Sequence, residues 1–143
     1  MTNTFETAIQ IRNQGLSAKS ESNSKPFLEE ALILFQQAVN EKPDDAEYVF
    51  YLAMSLDILD LEQEAIPLYH RAIGLELPLD QQLEATLYLA SSYFNIGHLD
   101  EAEKHLVKAE CLLDKGAIDK HEAFYDIASK IRNRGVQTKI DVS

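Results

Sequence analysis

EAIPLYHRAIGLELP, residues 64–78, decides the fold, because the chain says nearly the same thing twice more. Residues 30–43 read EALILFQQAVNEKP, and residues 101–114 read EAEKHLVKAECLLD. Ala31, Phe35 and Ala38 correspond to Ala65, Tyr69 and Ala72, each 34 positions on; these correspond to Ala102, Leu106 and Ala109, each a further 37 on. A glutamate precedes every leading alanine: Glu30, Glu64 and Glu101. Three positions moving together mark an internal repeat. Their spacing of i, i+4 and i+7 puts them on one helical face. A small–large–small face admits a second helix at the alanines, while the bulky side chain fills the space between them.

A second amphipathic stretch precedes two of these phrases. AEYVFYLAMSLDILD, residues 46–60, aligns Val49, Leu52, Ala53 and Leu56 on one face; LEATLYLASSYFNIG, residues 83–97, aligns Thr86, Leu89, Ala90 and Tyr93 on the equivalent face 37 positions later. Ala53 and Ala90 stand where helices must come close, and Gly97 is suited to end its helix. The pattern predicts helical hairpins over about residues 4–43, 45–78 and 81–114. In the first, a helix over about residues 4–20 has Gly15 in the small position, and SESNSKP (residues 20–26) reads as a loop, with Ser24 before Pro26 as a helix start. Asp44 with Glu47, Asp100 with Glu103, and Asp119 with Glu122 have capping-box spacing. Phe124, Ile127, Ala128 and Ile131 make one apolar stripe on a capping helix over about residues 119–134; residues 135–143 read as a mobile tail.

These residues resemble the tetratricopeptide repeat, a helical hairpin of about 34 residues. Leu89, Ala90, Tyr93, Gly97, Ala102, Leu106 and Ala109 occupy signature positions in the third unit, and Leu52, Ala53, Leu56, Ala65, Tyr69 and Ala72 in the second, with Asp60 where the glycine is expected. The first unit matches through Ala31, Phe35, Ala38 and Pro43. The usual large aromatic of the first helix is missing, and Val49 and Thr86 stand there in a chain without tryptophan. Pro67 falls inside a helix, so a bend is expected on a solvent-facing side. The resemblance implies an all-α, right-handed superhelical solenoid of antiparallel helix pairs, about seven helices in one domain over residues 1–134, with atypical ends that read as those of a complete array.

It also implies that the first helix of each unit lines a concave groove. The lining is expected to be Glu47, Phe50, Met54 and Asp57 in the second unit and Glu84, Leu87, Ser91 and Phe94, with Asn95 beside them, in the third; Arg12, Leu16 and Lys19 are their counterparts in the first. Such a groove is apolar at its centre and acidic at its rim, which suits a peptide or helical segment with basic flanks. The rival reading of that face is that the terminal helix or tail covers it. Some family members grip the carboxylate tail of heat-shock chaperones with a clamp of Lys, Asn and Arg; Phe50, Met54, Leu87 and Ser91 stand at the corresponding positions, so that clamp is missing. Small acidic three-repeat proteins also serve as secretion chaperones in bacteria.

Composition bounds the function. The 143 residues, 45% hydrophobic and 26% charged, suffice for one domain with a real core. A net charge of −11 argues against nucleic acid or anionic lipid as partner. The charge is uneven: residues 80–114 carry two Lys/Arg and seven Asp/Glu, net −5, whereas residues 115–143 carry six and four, net +2. One cysteine, Cys111, excludes an internal disulfide; together with the absence of a signal-like opening or an apolar run of membrane length, it points to the cytoplasm. Cys111 itself reads as a buried structural thiol. His70, His98, His105 and His121 have no i, i+4 pair among them, and no metal, phosphate-loop or nucleophile motif occurs. The expectation is therefore a non-enzymatic interaction module without cofactor or metal, binding a protein or peptide. The alternatives are a secretion or assembly chaperone and a self-associating scaffold or homodimer, pairing through Phe5, Ala8, Ile9 and Ile11. An enzyme or metal protein is the remaining possibility.

Overall fold

The repeated alanines are all buried. Ala38, Ala65, Ala72, Ala102 and Ala109 have no exposure and Ala31 only 1%; Phe35, Tyr69 and Leu106, between them, are equally inaccessible. A computed structural model describes the backbone of residues 3–142 and the side chains of residues 3–134. Among the described residues it is all-α: α1 (Thr4–Leu16), α2 (Glu21–Glu41), α3 (Ala46–Ile58), α4 (Glu62–Gly74), α5 (Leu79–Asn95), α6 (Leu99–Asp114) and α7 (Ala123–Val142). The chain divides into two compact units, Met1–Leu75 and Glu76–Ser143.

In the first unit α1 packs on α2, α2 on α3 and α3 on α4. Aromatic rings supply the bulk that a tryptophan would have given. Phe5 stacks on Tyr48 with centroids 4.2 Å apart and meets Phe35 and Tyr51 edge-on at 5.7 and 5.2 Å. Such pairs are worth about 0.5–1.5 kcal/mol beyond their buried area. Phe5 and Ala8 are thereby buried within the unit, which removes them from the face suggested for self-association. Tyr69 is fully buried, and its hydroxyl donates to Asp57 Oδ2 at 2.7 Å, so α4 is tied to the end of α3 by a satisfied polar contact.

SESNSKP is helical, not a loop. Ser20 is the N-cap, its hydroxyl accepting from the Asn23 amide at 3.3 Å, so α2 begins before Ser24 and carries Pro26 inside. Pro26 and the serines weigh less as breakers than their residue types suggest; an early Pro loses a single amide bond, here on an exposed face. The turn from α1 is therefore short. Gly15 makes it possible: a Cβ there would lie 2.9 Å from Leu28 Cδ2 and 3.1 Å from both Leu28 Cγ and Phe27 Cβ. Pro67, inside α4, is exposed as expected.

The second unit holds α5, α6 and α7. Leu83, Leu87, Ala90, Ala102, Leu106, Ala109, Ala117, Phe124, Ala128 and Ile131 form its core. His105 is also buried, at 3% exposure. Its ring stacks on Tyr93 at 5.1 Å, and Nδ1 donates to the Glu101 carbonyl at 2.8 Å. Burial holds the imidazole below its usual pKa, with Lys108 and Lys104 adding to that and the Glu101 carbonyl and carboxylate opposing it. Helix α7 continues to Val142, so the backbone of residues 135–142, read as tail, is helical; Ser143 lies outside the described residues.

Hairpin turns repeat a common design. At the end of α5 the His98 amide donates to Tyr93 O at 2.8 Å and Gly97 N to Phe94 O at 3.0 Å, with Gly97 at φ +85°. At the end of α3 Leu61 N donates to Leu56 O and Asp60 N to Asp57 O, with Asp60 at φ +62°. Both are Schellman closures, and Asp60 adopts the left-handed conformation that glycine adopts without strain. The caps shift from their expected places. Asp45, not Asp44, caps α3 through the Tyr48 amide, and α6 starts at Leu99 without a side-chain cap, placing Asp100 within its first turn. Asp119 does cap α7, accepting from His121, Ala123 and Phe124 amides at 3.1, 3.2 and 2.8 Å.

These contacts can be tested through stability. Replacing Asp60 with Gly relieves a left-handed aspartate and raises stability by about 0.5–1 kcal/mol, whereas Gly97→Asp lowers it by a similar amount, read as shifts in the urea midpoint. Gly15→Val crowds Leu28 and costs about 1–3 kcal/mol in the same measurement. The depressed pKa of His105 contributes stability above the unfolded value of about 6.5 that is lost as pH falls through the folded value. The thermal midpoint therefore drops between about pH 7.5 and 5.5, and His105→Leu drops less over that interval.

Candidate protein-binding faces

The first-helix stripes present differently in the two units. On α3, Glu47 is exposed and Met54 and Asp57 are half-buried, but Phe50 is 1% exposed, its ring 6.2 Å from that of Tyr69. Phe50 is thus core and not the open surface expected of it. Asp57 has a structural duty as the acceptor of the Tyr69 hydroxyl. Helix α3 leaves Glu47 and Met54 as its accessible members, one acidic and one apolar.

On α5 the stripe is Glu84, Leu87, Ser91, Phe94 and Asn95, and it lies against α7. Leu87 is buried at 1% in the same core as Phe124, Ala128 and Ile131. Lys130 Nζ donates to Ser91 Oγ and Asn95 Oδ1, both at 3.3 Å, and lies 4.9 Å from the centre of the Phe94 ring. A cation over an aromatic face at that range is attracted by the ring quadrupole. His121 Nε2 is 3.7 Å from Glu84 Oε1, the latter side chain only 17% exposed. Just outside the stripe, Lys120 Nζ approaches Asp80 Oδ2 at 3.5 Å, and the Ile118 amide donates to Asp80 Oδ1 at 2.9 Å. Arg132 pairs with Glu103 and Glu110 of α6. The rival reading of the face, that the terminal helix covers it, holds for this stripe.

Lys120, Lys130 and Arg132, exposed on and beside the capping helix, reach the acidic and polar edges of α5 and α6. The net charges of −5 and +2 on the two consecutive segments were the signal that could have found them.

Other candidates resolve simply. Arg12 lies with its guanidinium 5.5 Å from the Tyr51 ring, while Leu16 and Lys19 border a cleft of about 400 Å³ floored by Leu28 and Leu59. The cleft forms where the ends of α1 and α3 come together, a meeting that no local pattern announces. His70 and His98 are exposed and His121 is turned to Glu84. Cys111 is exposed, contrary to the buried thiol expected, because it follows the alanine stripe on the side of α6 away from the core. Among the described residues no group of three His, Cys, Asp or Glu side chains is arranged to hold a metal ion, and no helix is long and apolar enough to cross a membrane.

No curated protein matches the sequence significantly. Among solved structures, the fold is similar to that of a thermophilic tetratricopeptide repeat protein of Thermus thermophilus, at a TM-score of 0.68 and 22% identity, over 90% of this chain and 62% of that one. It is similar to PcrH, solved in complex with the chaperone-binding region of PopD, at a TM-score of 0.67 and 19% identity, covering 92% and 93% of the two chains. It is also similar to SycD, the type III secretion translocator chaperone of Yersinia enterocolitica, at a TM-score of 0.70 and 16% identity, covering 97% and 90%. The family model for the Tetratrico peptide repeat matches residues 46–130, more than half of the sequence. With the repeated alanines buried and the hairpins closed as described, the chain belongs to the tetratricopeptide repeat family.

Proposed function

We propose that the chain is a non-enzymatic adaptor that binds a protein segment, helical or extended, with basic flanks, on an acidic-edged stripe of a first helix. Glu47 and Met54 on α3, and Glu84, Ser91, Phe94 and Asn95 on α5, are the residues assigned to contact. Phe50 and Leu87 lie beneath as support. One observation carries the reading: the α5 stripe already takes a lysine, over the Phe94 ring and between Ser91 and Asn95, so its chemistry suits a cationic side chain on an amphipathic helix. The formal charge of −11 favours the same class of partner through long-range attraction.

A narrower reading is that the partner is a translocator-like client and the chain its chaperone. PcrH and a second SycD structure, bound respectively to a region of PopD and a peptide of the translocator YopD, cover nearly this whole chain, which supports the narrower role. We place the protein in the cytoplasm, in keeping with its lone cysteine.

Selection of a random peptide library on the folded chain tests the assignment. Enriched sequences are expected to pair apolar residues with Lys or Arg near their ends, and Glu47→Lys or Glu84→Lys is expected to weaken them about tenfold, in line with the cost of like-charge juxtaposition. Enrichment without basic bias, or affinities indifferent to both reversals, overturns it.

A further inference from the structure

The α5 stripe is met along its length by α7 and the connection that leads into it. Glu84 faces His121, Leu87 shares a core with Phe124, Ala128 and Ile131, and Ser91, Phe94 and Asn95 all receive Lys130. Helix α7 has the chemistry proposed for the external partner: an apolar stripe flanked by basic side chains. We infer that α7 is a tethered stand-in for that partner, holding the α5 stripe until a lysine-bearing amphipathic helix displaces it. This rests on the adaptor reading and adds its regulation.

The described side chains of α7 hold the α5 stripe through a short buried set. Within residues 123–134 only Phe124, Ala128 and Ile131 are buried. Its own polar groups in these contacts, Lys130 and Arg132, are exposed, so solvent screens them. Residues 115–122, which join it to α6, are non-helical, and Glu122 stands in the left-handed region at φ +54°. Asp119 caps α7 from within that connection, so the helix keeps its own N-terminal cap independently of α6. A tethered competitor lowers the apparent affinity of a free one by the fraction of time the face is open.

The probe is a labelled peptide of residues 121–134, HEAFYDIASKIRNR, titrated into the full chain. Two proteins are compared with the parent. Lys130→Glu/Arg132→Glu, both exposed positions, loosens α7. Glu110→Cys/Arg132→Cys in a Cys111→Ser background, joined by a bis-maleimide, pins α7 to α6 without touching the α5 stripe. The peptide is expected to bind the charge-reversed chain at least about tenfold more tightly than the parent, and to bind the unlinked cysteine chain but not the linked one. Equal affinity for parent, charge-reversed and linked chains overturns the inference, as does no binding to either the charge-reversed or the unlinked chain when circular dichroism shows helicity retained. The library selection reads the adaptor assignment separately. Basic-flanked peptides that bind linked and unlinked chains alike leave that assignment standing and overturn this one.

Discussion

The structure depends on close approach between helices at small side chains. Ala65 and Ala72 bracket Tyr69, and Ala102 and Ala109 bracket Leu106, all fully buried. A larger residue at any of these alanines would push its partner helix out and empty the space that the bulky residue fills, so burial and shape are satisfied together or lost together. Gly15 is the tightest case, where one added carbon would make Leu28 shift. Once this interlock is fixed, the remaining side chains of each helix are free to serve another surface.

What that other surface does is governed by charge. The acidic segment through α5 and α6 is followed by a basic one, and the two are folded onto each other: Lys120 on Asp80, His121 on Glu84, Arg132 on Glu103 and Glu110. Solvated pairs of this kind contribute little to stability individually. Their value is in register and selectivity, since a helix with acidic flanks would meet repulsion at each of the same positions.

The fold was legible because it is written in periodicity, which survives without knowledge of neighbours. The alanine stripes, Gly97 as a stop and the hairpin boundaries near residues 45, 78 and 97 all follow from spacing on a helix. SESNSKP misleads because serine and proline are judged as breakers, whereas Ser20 caps α2 and Pro26 sits inside it on an exposed face. The site was less legible. A residue's direction on a helix can be read from sequence, but what stands opposite cannot: Phe50 and Leu87 lie on the expected helices and are nevertheless buried, and the seat of Lys130 between Ser91 and Asn95 has no local signal. Cys111 stands two residues past Ala109, on the opposite side of α6, and is exposed.

The turns after α3 and α5 have a consequence for how such sequences diverge. In each, one residue, Leu61 or His98, both completes the closure of one helix and opens the next, with no side-chain hydrogen bond at either helix start. All the polar accounting at these corners is done by main-chain atoms. The letters at a corner are consequently almost free to drift, provided one residue tolerates a left-handed twist. An aspartate can replace a glycine there and the corner keeps its shape, which is how a family can retain its architecture while its members share only about one residue in five with this chain.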